Sequence, residues 1–145
     1  ATSISNPSDV YGACQAMFMG CTSLVTPPSD LYPTTAGFQC YYQMFKDCVS
    51  LVSSPVIHLS VPETKPQYPC GEMFQGCSSL TSIKVYFPEW FTWSTWNYPY
   101  TKDWVKDIPS SGSFYCPASL SLSYGVNYIP TGWTVYTIEE VGAGI

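Results

Sequence analysis

"CYYQMFKDCVSL", residues 40–51, sets two cysteines, two adjacent tyrosines and a Met-Phe pair in one short stretch. Read alone, it offers a metal site, a disulfide or a nucleophile. Its recurrence points elsewhere. "CQAMFMGCTSL" runs over residues 14–24 and "CGEMFQGCSSL" over residues 70–80. Superposing the Met-Phe pairs aligns Met17, Met44 and Met73, then Phe18, Phe45 and Phe74, then Cys21, Cys48 and Cys77. It also aligns Ser23, Ser50 and Ser79, and Leu24, Leu51 and Leu80, at offsets of 27 and 29 residues. Near-copies at that period are the mark of stacked repeats. A catalytic residue is needed once, whereas a packing residue is needed in every layer. The repeated cysteines, methionines and phenylalanines are therefore read as layer residues.

Within one copy, Tyr41, Met44, Phe45 and Cys48 fall at i, i+3, i+4 and i+7. That spacing predicts one apolar face of a two-turn helix. Cys14, Met17, Phe18 and Cys21 repeat it, as do Cys70, Met73, Phe74 and Cys77. Gly20 and Gly76 suit a helix end, and Pro69 a helix start. Helices are expected near 11–20, 39–47 and 70–76. A short extended segment follows each. "LTSIKV", residues 80–85, fits the L-x-x-L-x-L strand pattern of leucine-rich repeats, whereas Pro27, Pro28 and Pro55 shorten the corresponding strands. Strands are expected near 24–27, 51–54, 81–86, 113–116 and 133–137. The last two rest on "GSFYC" and "WTVYTI", which alternate in the strand manner after turn signals.

The motif M-F-x-G-C-x-S-L at this period, with "PTT" before the second copy, resembles the cysteine-containing leucine-rich repeats of the BspA-like kind. "DWVKDIPSSGSFYCP" followed by "YIPTGWTVYTI" is similar to the closing module that ends such arrays. The likeness covers residues 11–138. It implies an α/β leucine-rich-repeat solenoid with a short-stranded parallel sheet, short helices and a C-terminal cap. It also implies a surface protein of gut Bacteroides or a phage tail protein of such hosts. One repeat domain, 1–138, is expected, with repeats near 11–37, 38–66 and 67–86. An aromatic insert follows at 87–104, a closing cap at 105–138 and a tail at 139–145.

Composition narrows function. Only 10% of residues are charged and the net charge is −5, with five basic residues in all. Nucleic-acid binding needs clustered Lys and Arg and is excluded as an expectation. No apolar run approaches a membrane span, so no membrane insertion is expected. The seven cysteines form no C-x-x-C pair, and no metal or cofactor is expected. Buried thiols are the first reading, and a disulfide within a repeat the second. The opening "ATSISNPSDV" leads to the expectation of a mature or trimmed product. Many Tyr, Trp, Ser, Thr and Pro with few charges suggest an extracellular location, at a cell or virion surface.

Chemistry is sparse. The single histidine, His58, lies past the second strand and away from the repeat cysteines. Glu63, Glu72, Glu89, Asp103 and Asp107 are scattered without the paired arrangement of glycosidases. No enzyme is expected. The departure from the repeats is "YFPEWFTWSTWNYPYTKDW", residues 86–104. Its rings either cap the last layer or form a platform for a host-surface glycan or protein. Trp93, Trp96, Tyr98 and Tyr100 are the candidate ligand-binding rings, with Trp90 and Trp104 as anchors. A recognition module is the leading expectation. A connector in a larger assembly, with a homo-oligomer as one form of it, is the alternative.

Overall fold

A computed structural model describes residues 3–4, 14–31, 41–58, 70–93 and 98–138. The strands are β1 (Ser3–Ile4), β2 (Asp30–Leu31), β3 (Ser53–Ile57), β4 (Ser82–Val85), β5 (Thr92–Trp93), β6 (Tyr98–Pro99), β7 (Ser113–Pro117) and β8 (Thr134–Ile138). Six of them form one parallel sheet in the order β1-β2-β3-β4-β7-β8, and β5 and β6 form an antiparallel hairpin.

The described residues contain no helix. This overturns the α/β fold class and the leucine-rich-repeat solenoid with short helices; the described architecture is all-β. The segments 14–20, 41–47 and 70–76 are chains of tight turns. In each, two residues have left-handed φ: Ala16 and Gly20, Gln43 and Asp47, Glu72 and Gly76. Such residues interrupt a right-handed helix. What repays them is the hydrogen bonding. Within a segment, every other amide closes a turn, as Met44 N–H does to Tyr41 C=O at 3.1 Å and Cys48 N–H to Phe45 C=O at 3.0 Å. The amides between them reach the next copy. Ala16, Phe18 and Gly20 donate to the carbonyls of Tyr42, Met44 and Lys46 at 2.8–2.9 Å. Gln43, Phe45 and Asp47 donate likewise to Gly71, Met73 and Gln75. An isolated seven-residue helix is marginal in water. Stacked in register, the same residues pair alternate amides across a second wall, opposite the sheet.

The wall has a fourth rung. Glu72, Phe74 and Gly76 donate to the carbonyls of Lys102, Trp104 and Lys106. Asp103 and Asp107 take the two left-handed positions, 31 residues after Glu72 and Gly76. The fourth rung thus runs across the boundary drawn at residue 104, and Trp104 occupies the methionine position of the copies before it.

Between wall and sheet lies the core. Phe18 and Phe45 stack at 5.4 Å between ring centroids, Phe45 and Phe74 at 5.7 Å, and Trp104 tilts against Phe74 at 6.0 Å. Leu51 and Leu80 are buried, while Leu24 is half-buried at the start of the stack. On the sheet side, Leu31, Ile57 and Val85 pair in register and point inward. The prolines displace the early strands. The first runs over 30–31 rather than 24–27, and the second starts at Ser53 and extends to Ile57. Pro55 sits where the β3–β4 register shifts, and there the Ser54 hydroxyl accepts the Lys84 amide at 3.0 Å. A proline at a bulge costs the ladder no donor it needs.

Candidate functional site

The described rings of the aromatic segment are buried or half-buried. Phe87 and Trp104 are fully buried, and Trp104 Nε1–H donates to Tyr128 C=O at 2.8 Å. Trp90 is half-buried; it meets Trp104, Phe87 and Tyr128 edge-on and donates to Ser121 C=O at 2.8 Å. Both act as anchors. Tyr100, one of the four candidate binding rings, is 3% exposed, and burial pushes its phenol up to about 12. It presents no ring to a ligand. Trp93 and Tyr98 stand opposite each other in the β5–β6 register. Trp96 lies in 94–97, outside the described residues, as do Cys40 and the tail 139–145.

Of the described cysteines, all but Cys21 are buried packing groups. Cys14, Cys21, Cys48, Cys77 and Cys116 are free thiols. Cys48 donates to Phe18 C=O and Cys77 to Phe45 C=O, each at 3.0 Å, so each thiol ties one rung to the previous one. Burial pushes the Cys48 thiol up and that of Cys77 up to about 12, leaving neither as a ready nucleophile. Among the described residues no rung precedes that of Cys21, which is exposed. No group of three His, Cys, Asp or Glu among the described residues could hold a metal. A cleft of about 160 Å³ beside Val105, Ile108 and Pro130 is smaller than the roughly 300 Å³ at which ligand pockets begin.

The outer face of the parallel sheet is the built surface that the aromatic count obscures. Strand residues alternate, so one side of β3, β4, β7 and β8 faces out. Ser53, Ser82, Ser113 and Thr134 pair in register and form a hydroxyl row. Two residues on, or three in β3 where the register shifts, Val56, Lys84, Tyr115 and Tyr136 form a second row. Tyr115 and Tyr136 stack at 5.2 Å, and the Lys84 ammonium lies 5.5 Å from the Tyr115 ring centroid. Beyond them His58 stacks on Tyr86 at 5.3 Å, with Nε2 3.1 Å from Asp30 Oδ1. Because the ring faces cover one another, the stack offers outward mainly ring edges and phenol hydroxyls. The signal was present as the i, i+2 pattern of "SIKV", "SFYC" and "TVYT".

Comparison with family models, with curated proteins and with solved structures finds no match.

Proposed function

We propose that this chain is a non-enzymatic recognition module that binds a host-surface glycan through the outer face of its sheet, as part of a bacterial cell-surface protein or a phage tail fibre. The observation that carries this reading is the pair of in-register rows, Ser53-Ser82-Ser113-Thr134 and Lys84-Tyr115-Tyr136. A polyhydroxylated ligand matches a flat array of hydroxyls and phenols with a single cation. Each such contact is weak, about 1 kcal/mol net, so useful affinity needs several copies on one particle. An extracellular setting belongs to the same proposal.

The test is a glycan array read with multivalent protein, comparing wild type with Thr134→Ala plus Tyr136→Ala and with Trp93→Ala. Loss in the sheet variant alone supports the outer face. Loss in the Trp93 variant alone moves the site to the β5–β6 hairpin. No glycan bound by the wild type rejects the reading. A structural connector is the second reading, and the exposed first rung of the turn wall favours it.

A further inference from the structure

Lys84 stands in the middle of the outer sheet face without a counter-charge beside it. Its row runs Asp30, Val56, Lys84, Tyr115 and Tyr136 in register from β2 to β8. Its neighbours across the strands are therefore Val56 and Tyr115, and its neighbours along its own chain on this face are Ser82 and Tyr86. None of these carries a charge. The ion pairs among the described residues are Lys46–Glu72, His58–Asp30 and Lys102–Asp103, and Lys84 belongs to none of them. Opposite charges on facing strand positions stabilise a sheet. Here an apolar residue faces the lysine on one side and a ring on the other.

The ammonium is held in place all the same. Tyr115 lies between Lys84, 5.5 Å from its ring centroid, and Tyr136, stacked at 5.2 Å. One ring face takes the cation and the other takes the second ring. The acid in the same row, Asp30, is two strands away, about 10 Å at the usual strand spacing. Both its oxygens are engaged: Oδ1 lies 3.1 Å from His58 Nε2, and Oδ2 accepts the Ser29 hydroxyl at 3.0 Å. Around the cation lie polar groups that point away from the protein. The hydroxyls of Ser53, Ser82, Ser113 and Thr134 and the phenols of Tyr115 and Tyr136 make no hydrogen bond among the described residues.

We infer that the glycan bound by this face is acidic, and sparsely so: one carboxylate or sulfate seated on Lys84, among neutral sugars whose hydroxyls meet the serine row. The inference rests on the reading of the outer face as a glycan surface. Two residues along a strand span about 7 Å and neighbouring strands lie about 5 Å apart. Ser82 and Ser113 are therefore placed to meet the sugar next to the one on Lys84. The limit to one anion comes from charge. Among the described residues the face has no other lysine, Asp30 repels a second anion toward β2, and the chain carries −5 overall. A glycan with an acid on every sugar gains one ion pair and meets that field with all its other charges.

The test is a glycan array printed in matched sets. Each set holds a neutral oligosaccharide and three forms of it: one bearing a single uronic acid, one bearing a single sulfate ester, and one with a uronic acid at every sugar. At low salt the wild type should bind a singly acidic form at least about threefold better than its neutral parent, as a partly exposed ion pair allows. The gap should close as salt rises. In Lys84→Gln the singly acidic and neutral forms should bind alike, and in Lys84→Arg the gap should return. Each comparison is a ratio within one protein sample, so a change in folded fraction cancels. Preference for the uronate, the sulfate ester or both supports the inference and names the anion. Neutral and singly acidic forms bound equally by the wild type overturn it and leave the glycan reading standing. So does a gap that survives in Lys84→Gln, or a fully acidic form bound best of its set. An array on which the wild type binds nothing removes the glycan reading, and this inference with it.

Discussion

The Asp103 amide donates to the side-chain oxygen of Asn127 at 2.7 Å, and with that bond the turn wall ends. Asn127 also accepts the Thr101 hydroxyl on its backbone carbonyl at 2.6 Å. One residue therefore supplies two acceptors to the last rung, where the next rung would otherwise supply them. Asn127→Ala keeps the backbone acceptor and removes the side-chain one. The expected loss is about 1–2 kcal/mol, the cost of an unpaired, partly buried donor. Urea unfolding measures it, and amide exchange should speed up most at Asp103.

Phe45 stacks between Phe18 and Phe74 and is fully buried, whereas among the described residues Phe18 has a ring neighbour on one side only. Phe45→Ala should cost about 3–5 kcal/mol, enough to unfold a marginal domain, because the flanking rungs cannot close the gap without breaking their ladder. Phe18→Ala should cost clearly less. Equal losses in denaturant melts would mean that the stack does not share load as the ring contacts imply.

The period was legible in the sequence, and so were the inward-facing residues of the second and third copies; in the first, Met17 and Cys21 are exposed. Also legible were three of the strand segments, because Leu80, Ile83 and Val85 and the alternation in "GSFYC" and "WTVYTI" carry the sheet signal. The helices were misread for a specific reason. The spacing of Tyr41, Met44, Phe45 and Cys48 suits successive turns as well as a helix. Of the two left-handed positions in each of the first three rungs, only the later one holds Gly or Asp; the earlier one holds Ala16, Gln43 and Glu72. Those residues give no sign of positive φ, and the bonds that pay for it lie in another repeat. The fourth rung was hidden because "TKDWVKDI" lacks both Met-Phe and cysteine, and a backbone ladder does not require them. The outer sheet face was readable as alternation. Aromatic density drew attention instead to 86–104, where burial claims Phe87, Tyr100 and Trp104.

Thiol reactivity should divide by rung. Cys21 is exposed, so it should label at once with an alkylating reagent, whereas Cys48 and Cys77 should wait for unfolding. Cys77 also predicts an alkaline branch. Its folded value, about 12, lies above the roughly 8.5 of an unfolded thiol. Its contribution is therefore complete below about pH 8.5 and is lost as pH rises toward the folded value. Tyr100, also raised to about 12, acts in the same direction from about pH 10. Denaturant melts from pH 8 upward should show falling stability, with a shallower fall in Cys77→Ala.

Glu72 governs the acid branch. Tyr42 O–H donates to Oε2 at 2.6 Å; Lys46 Nζ and Gln43 Nε2 donate to Oε1 at 2.9 and 3.2 Å. Burial alone pushes the carboxyl up, but these hydrogen bonds and the Lys46 charge outweigh it and hold the carboxyl below its ordinary value. A depressed folded value means that the contribution is present above the unfolded value, about 4.3, and is lost as pH falls through the folded one. All three donors belong to the second rung and Glu72 to the third, so protonation loosens the contact between neighbouring rungs. Glu72→Gln should lower stability at pH 7 and flatten the decline below about pH 4.3. Salt should trim the Lys46 part, because both side chains are about a quarter exposed, and leave the Tyr42 bond. Melts at pH 3 and pH 7, in low and high salt, check this. An acid branch identical in Glu72→Gln and wild type would remove Glu72 as its source.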